Sequence, residues 1–282
     1  MGIKSILAVV TGQESAESLA SGFGLARRLE AYVDALHVRA DPREAVPVLA
    51  EGSAGPLIDQ MVEQAAKEGE GRANQAQRLF LDACERAGMA CSGADPKARF
   101  RVAVGHGPEQ LLLRGRVCDL IMFARIPGTA DLEWRVSVEA ALIESRRPVL
   151  LLPERWSKPI GEVAAIAWNG SPEAGNALRG ALPLLRPVRR ILFLTGGQDR
   201  AIEPPVSDAA EWLERHGFLP ETHAVALKAS PVGPHLVQEA AEAGADFLVM
   251  GAYGHSRMRE FVFGGATRAV LDAADIPVLM AH

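Results

Sequence analysis

The residues with the strongest chemical potential form the run GAYGHSRMREFVFGGATRAV, residues 251–270. Glycines at 251, 254, 264 and 265 let a backbone come close to a ligand, and a helix starting near Gly265 would offer unpaired amides to phosphate oxygens. The run follows the apolar stretch FLVM and leads into a segment with helical apolar spacing, so it reads as an anion site at the carboxyl end of a strand. In open α/β sheets nucleotides dock at that edge, near the reversal of strand order. An isolated Gly-x-x-Gly more often only shapes a turn. Here the Gly-x2-Gly-x9-Gly spacing and the position after a strand favour a ligand.

Other catalytic frameworks are missing. No lysine follows a glycine, which removes the usual P-loop, and neither Gly-x-Ser-x-Gly nor His-Glu-x-x-His occurs. No catalytic residue and no metal ligand is expected. The histidines at 37, 106, 216, 223, 235, 255 and 282 are scattered and read as surface or strand-end residues. Cys84, Cys91 and Cys118 lack metal-ligand spacing and read as reduced structural thiols rather than a redox device. Pro108 in VGHGPEQLL reads as the first turn of a helix rather than a ligand contact, and Trp168 and Trp212 read as packing.

The bulk numbers exclude further classes. A formal charge of −5 over 282 residues argues against nucleic acid and anionic membrane as partners. No apolar run approaches the roughly 18 residues of a membrane span, and ILAVV after Lys4 is too short for a signal-peptide core, so a cytoplasmic location is expected. With 48% hydrophobic residues the chain can supply about two domain cores.

The elements that must position the glycines occur twice. Short Val/Ile/Leu-rich strands are expected at residues 5–10, 33–38, 99–104, 119–123 and 148–152, and again at 163–168, 190–195, 222–227, 247–250 and 277–280. Helical spacing falls between them, at 57–87, 109–117, 205–216, 236–243 and 267–274 among others. Strands alternating with helices predict parallel βαβ units. The fold class is therefore α/β, as two tandem doubly wound, mainly parallel five-stranded sheets. CDLIMFA (118–124) resembles ADFLVMGA (245–252), RRPVLLLP (146–153) resembles DIPVLMAH (275–282), and TGQESAE (11–17) resembles NGSPEAG (169–175), in one order. PERWSKP at 153–159 carries two prolines, placing the boundary between domains 1–153 and 160–282. Residues 41–71 form an insertion that reads as a connector, with a lid or contact surface as the alternative.

On these motifs the chain resembles the universal stress protein family in its tandem form, across nearly its whole length. The resemblance implies Rossmann-like (HUP-type) domains and an adenine nucleotide, ATP or a relative, with or without Mg²⁺. The family pattern is Gly-x2-Gly-x9-Gly-Ser/Thr. Gly251, Gly254 and Gly264 match it, while Gly265 replaces the hydroxyl residue. The resemblance implies an Asp at the end of the first strand, where this chain has Asn169, followed by Gly170 and Ser171. It further implies that Ala167, Thr195 and Met250 border the adenine or ribose and that Ala266 presents its amide. Thr267, His255, Arg257 and Arg268 could compensate at the phosphates.

The first copy departs from the pattern. Aligned on the final strands, Met122, Arg125 and Arg135 stand opposite Gly251, Gly254 and Gly264, with side chains expected to fill the phosphate space, and Thr11 stands at the Asp position. One nucleotide site per chain is therefore expected, in the second half. The resemblance also implies that PVLLLP and PVLMAH pair within the chain as an internal pseudo-dimer, with a homodimer possible beyond it. The expected function is a stress-response protein that binds an adenine nucleotide, with at most slow ATPase activity because no general base is evident. The alternatives are a nucleotide-free interaction scaffold and, further off, an adenylate-forming or hydrolytic enzyme.

Overall fold

The computed structural model describes residues 2–43, 55–126, 132–195, 202–223, 232–254 and 265–282. The first half runs β1 (Ser5–Val9), α1 (Ala16–Arg28), β2 (Tyr32–Arg39), α2 (Gly55–Ala87), β3 (Ala98–Val104), α3 (Gly107–Gly115), β4 (Leu120–Ala124), α4 (Leu132–Glu144) and β5 (Val149–Leu152). The second runs β6 (Val163–Trp168), α5 (Pro172–Leu185), β7 (Arg190–Thr195), α6 (Val206–Arg215), β8 (Pro220–His223), α7 (Val232–Glu242), β9 (Phe247–Gly251), α8 (Gly265–Ala273) and β10 (Val278–Ala281). Every strand expected from the sequence has its counterpart. Of the strand expected at 222–227, residues 224–227 lie outside the described residues, as does 44–54 of the insertion.

Local chemistry explains the element starts. Ser15 caps α1 by accepting the Ser18 amide at 3.1 Å, and Ser171 caps α5 by accepting the Ala174 amide at 3.1 Å, with Pro172 in the first turn. The strands LIMFA, VLLL and VLMA are buried throughout, because helices cover both faces of a parallel sheet.

Among the described residues the strands form one sheet in the order β3-β2-β1-β4-β5-β10-β9-β6-β7-β8. All pairs are parallel except β5 with β10, where Val278 faces Leu151, Leu279 faces Leu150 and Met280 faces Val149. The expected pairing of PVLLLP with PVLMAH is present, and it fuses the two five-stranded sheets into one. Buried residues of both halves join a single apolar cluster.

The duplication is visible in backbone chemistry as well as in sequence. Asp119, just before β4, accepts the amides of Lys4 and Ser5 at 2.8 and 3.0 Å, and so ties the start of β1 to β4. Asp246, just before β9, accepts the amides of Glu162 and Val163 at 2.9 and 3.0 Å at the start of β6. A carboxylate accepting two strand-start amides fixes where the central strand begins in each half.

This register corrects one alignment. Ile121 pairs with Val149, and Leu248 with Val278, so Ala124 rather than Met122 is the counterpart of Gly251. The shift arises because the segments between the fourth and fifth strands differ in length, so anchoring on the last strand misplaces the one before it.

Among the described residues, no helix is long and apolar enough to cross a membrane.

Candidate functional site

In the second half, β6 lies between β9 and β7. The strand order reverses between β6 and β9, the switch point at which open α/β sheets form a ligand crevice. β6 delivers Ala167, then Asn169, Gly170 and Ser171 in the turn to α5; β7 ends in Thr195, in register with Trp168; β9 delivers Met250, Gly251 and then Gly254. Asn169 and Gly254 are exposed, Ala167, Gly170, Ser171, Thr195 and Gly251 are half-buried, and Met250 and Thr267 are buried. Gly265 and Ala266 open α8. His255, Arg257 and Gly264 lie outside the described residues.

Each wall of the crevice has a local cause. Gly170 has φ +73°, and a side chain there would run into the backbone of Glu203, because residues 202–204 pass over the end of β6. The Trp168 indole, buried against Phe193 at a ring separation of 6.4 Å, donates to the Pro204 carbonyl at 3.0 Å and holds that segment in place. Asn169 accepts the Ser171 amide at 3.1 Å, which turns the chain into α5.

The glycines after β9 serve α5 first. A Cβ on Gly251 would stand 2.6 Å from the Ala174 nitrogen and 2.7 Å from the Glu173 carbonyl carbon, so its bareness lets the first turn of α5 press against β9. Two amides near it are already engaged. Ala252 donates to the Ala281 carbonyl at 2.8 Å, and Tyr253 donates to the Thr267 hydroxyl at 3.4 Å. Thr267 thereby ties the β9 turn to α8. Tyr253 takes a positive φ of 54°, and burial, reinforced by the Glu139 carboxylate, pushes its hydroxyl pKa well up.

Sequence reasoning missed Glu173. This residue is 3% exposed, in the first turn of α5, and its Oε2 lies 3.3 Å from where a Cβ on Gly254 would begin. The signal was available: an acidic residue two positions after a Ser cap sits where the helix dipole favours a negative charge.

The comparisons with known proteins bear on this half most directly. A family model described as the universal stress protein family matches residues 206–282, a stretch holding α6, β9, the glycines and α8. The universal stress protein Slr1230 of Synechocystis is 31% identical over 141 residues, 47% of this chain and 46% of its own length. Over residues 206–282 the chain thus matches the universal stress protein family. The match to Slr1230 spans about half the length of that curated relative. A universal stress protein of Archaeoglobus fulgidus superposes over 98% of this chain and 95% of its own, with TM-score 0.66 at 15% identity. A Pseudomonas aeruginosa protein of unknown function does so over 99% and 92%, with TM-score 0.54 at 13% identity. At these identities the structural likenesses concern the fold, that of tandem universal stress protein domains.

The first half places different groups at the equivalent crevice. By register Thr11 corresponds to Asn169, since Ile6 pairs with Leu120 as Ala164 pairs with Phe247. The Glu14 carboxylate, 6% exposed, accepts the amides of Thr11, Gly12 and Gln13 at 2.7, 2.9 and 3.2 Å and the Thr11 hydroxyl at 2.8 Å. Consecutive amides curled around an anion form a nest, and here the anion belongs to the chain itself.

The expectation that Arg125 and Arg135 plug the first crevice is corrected. Arg125 donates to the Val270 carbonyl at 3.4 Å and to that of Leu271, while Arg135 pairs with Asp272. Both cross to α8 of the other half. Their aliphatic stems are long enough to leave the strand edge, and the negative carboxyl end of a helix attracts cations.

Among the described residues, no cluster of His, Cys, Asp and Glu could hold a metal ion.

Proposed function

We propose that this protein binds one adenine nucleotide per chain, in the crevice between the ends of β6 and β9, as a signal for conformation or assembly rather than as a substrate for rapid turnover. The observation that carries the reading is the joint placement of Asn169 and Gly254, both exposed, across the reversal of strand order with Gly251 beside them. In this reading Ala167, Thr195 and Met250 border the base and ribose, and Gly170, Ser171, Gly254, His255, Gly264, Gly265, Ala266 and Thr267 surround the phosphates. The family match supports the nucleotide class.

A second reading, a nucleotide-free interaction scaffold, is favoured by one observation. Each half carries a buried carboxylate near its crevice, Glu14 in the nest and Glu173 under Gly254. An internal anion opposes an incoming phosphate at short range.

Calorimetry with ATP, ADP and AMP, with and without Mg²⁺, separates the two. One site per chain and a thermal shift of about 2.7 kcal/mol at a hundredfold excess over the dissociation constant is the expected outcome. Absence of heat and of any thermal shift at millimolar nucleotide would leave the scaffold.

A further inference from the structure

The two arginines of the first crevice converge on one helix of the other half. Arg125 directly follows β4, and its own amide is pinned to the Leu152 carbonyl at 2.9 Å. Its guanidinium reaches the carbonyls of Val270 and Leu271 near the carboxyl end of α8, where a cation complements the helix dipole. Trp134, Leu151, Leu152, Val270 and Leu271 close around it. Burial lowers the Arg125 pKa, yet a guanidinium remains charged at any working pH.

α4 adds a further contact, since Arg135 pairs with Asp272 of α8. Thr267, in the first turn of α8, accepts the amide of Tyr253. The first half therefore holds the helix that starts at Gly265, and that helix is tied in turn to the β9 turn with Gly254. At the position equivalent to Arg125 the second half has Ala252, whose methyl group cannot make the reciprocal contact.

We propose that the first half is the positioning unit of the second: Arg125 and Arg135 seat α8, and Thr267 of α8 holds the Tyr253 amide, so that Gly254 and Gly265 are held in the relative placement that a ligand requires. Loss of its own glycines and gain of a hold on its neighbour are then two aspects of the same change. The consequence for affinity rests on the nucleotide reading, whereas the consequence for α8 does not.

The test uses the full chain and two readouts, hydrogen exchange of the amides in residues 267–273 and calorimetry with Mg–ATP. Arg125→Met and Arg135→Ala are expected to speed α8 exchange by roughly tenfold while α1 and α5 keep theirs, and to weaken Mg–ATP by roughly tenfold. Arg125→Lys, which keeps the charge, should fall between wild type and Arg125→Met. Asp272→Ala should reproduce Arg135→Ala, and the two together should not add. The more exposed Arg135–Asp272 pair supplies the answer if Arg125→Met does not fold. Faster α8 exchange in a chain that binds no nucleotide would support the positioning role and remove the nucleotide reading. Unchanged α8 exchange in Arg135→Ala and Asp272→Ala would overturn the proposal, even if affinity fell.

Discussion

The Glu173 carboxylate stands 3.3 Å from the point at which a side chain on Gly254 would begin. A buried acid and an exposed glycine of the motif thus share one face of the crevice, and the balance between them governs what can enter.

Replacing Glu173 with Gln keeps the shape and removes the charge. If a phosphate enters beside Gly254, nucleotide affinity without Mg²⁺ should rise by roughly tenfold, because a repulsive charge pair at a few ångströms is worth on the order of 1–2 kcal/mol in a partly buried site. Calorimetry on Glu173→Gln in EDTA reads this directly, and an unchanged constant would remove the anion from the phosphate path.

Gly251 and Gly254 should separate in experiment. A Cβ on Gly251 meets backbone atoms at 2.6 and 2.7 Å, which cannot move without shifting α5, so Gly251→Ala should cost about 1–3 kcal/mol in urea unfolding. Gly254 is exposed and its nearest neighbour is a side-chain oxygen, so Gly254→Val should spare stability and abolish nucleotide binding. Retained affinity in a stable Gly254→Val would place the ligand elsewhere.

Glu14 makes the opposite prediction in the first half. Its carboxylate satisfies three amides and a hydroxyl, so Glu14→Ala leaves these donors without their acceptor and should destabilise the chain by about 1–3 kcal/mol. Added phosphate or sulfate, able to enter the emptied nest, should recover part of the loss in a thermal melt. No recovery would show that the nest is too narrow for an external anion.

The thiols set an alkaline limit. Burial, reinforced by Cys91, pushes the Cys84 pKa up from 9.0 to about 12, and burial pushes Cys118 up to about 11. Between the unfolded and folded values the unfolded state holds fewer protons, so stability falls with rising pH. This contribution is intact below about pH 9 and is lost through about pH 11 and 12. Cys84→Ala/Cys118→Ala should unfold with a flatter pH dependence above pH 9 than wild type. Native alkylation at pH 8 should label Cys91, which is only partly buried, well before the other two.

The sequence by itself determined the strand–helix alternation and the duplication, while the pairing of the last strands was implied by the family resemblance. Alternation and duplication are carried by short-range apolar patterning and by similar local runs such as CDLIMFA and ADFLVMGA, which need no knowledge of distant contacts. It also placed Gly251, Gly254 and Asn169 at strand ends, since strand ends are legible wherever apolar runs stop. What only the tertiary structure decided is where long and charged side chains go. The first half's arginines were expected in their own crevice and are found on α8, because a guanidinium on a long stem can travel several ångströms to a carbonyl or carboxylate of another element. Glu14 and Glu173 were invisible for the same reason: a buried carboxylate is defined by the amides and glycines that fold around it, and those come from the three-dimensional arrangement of the turns.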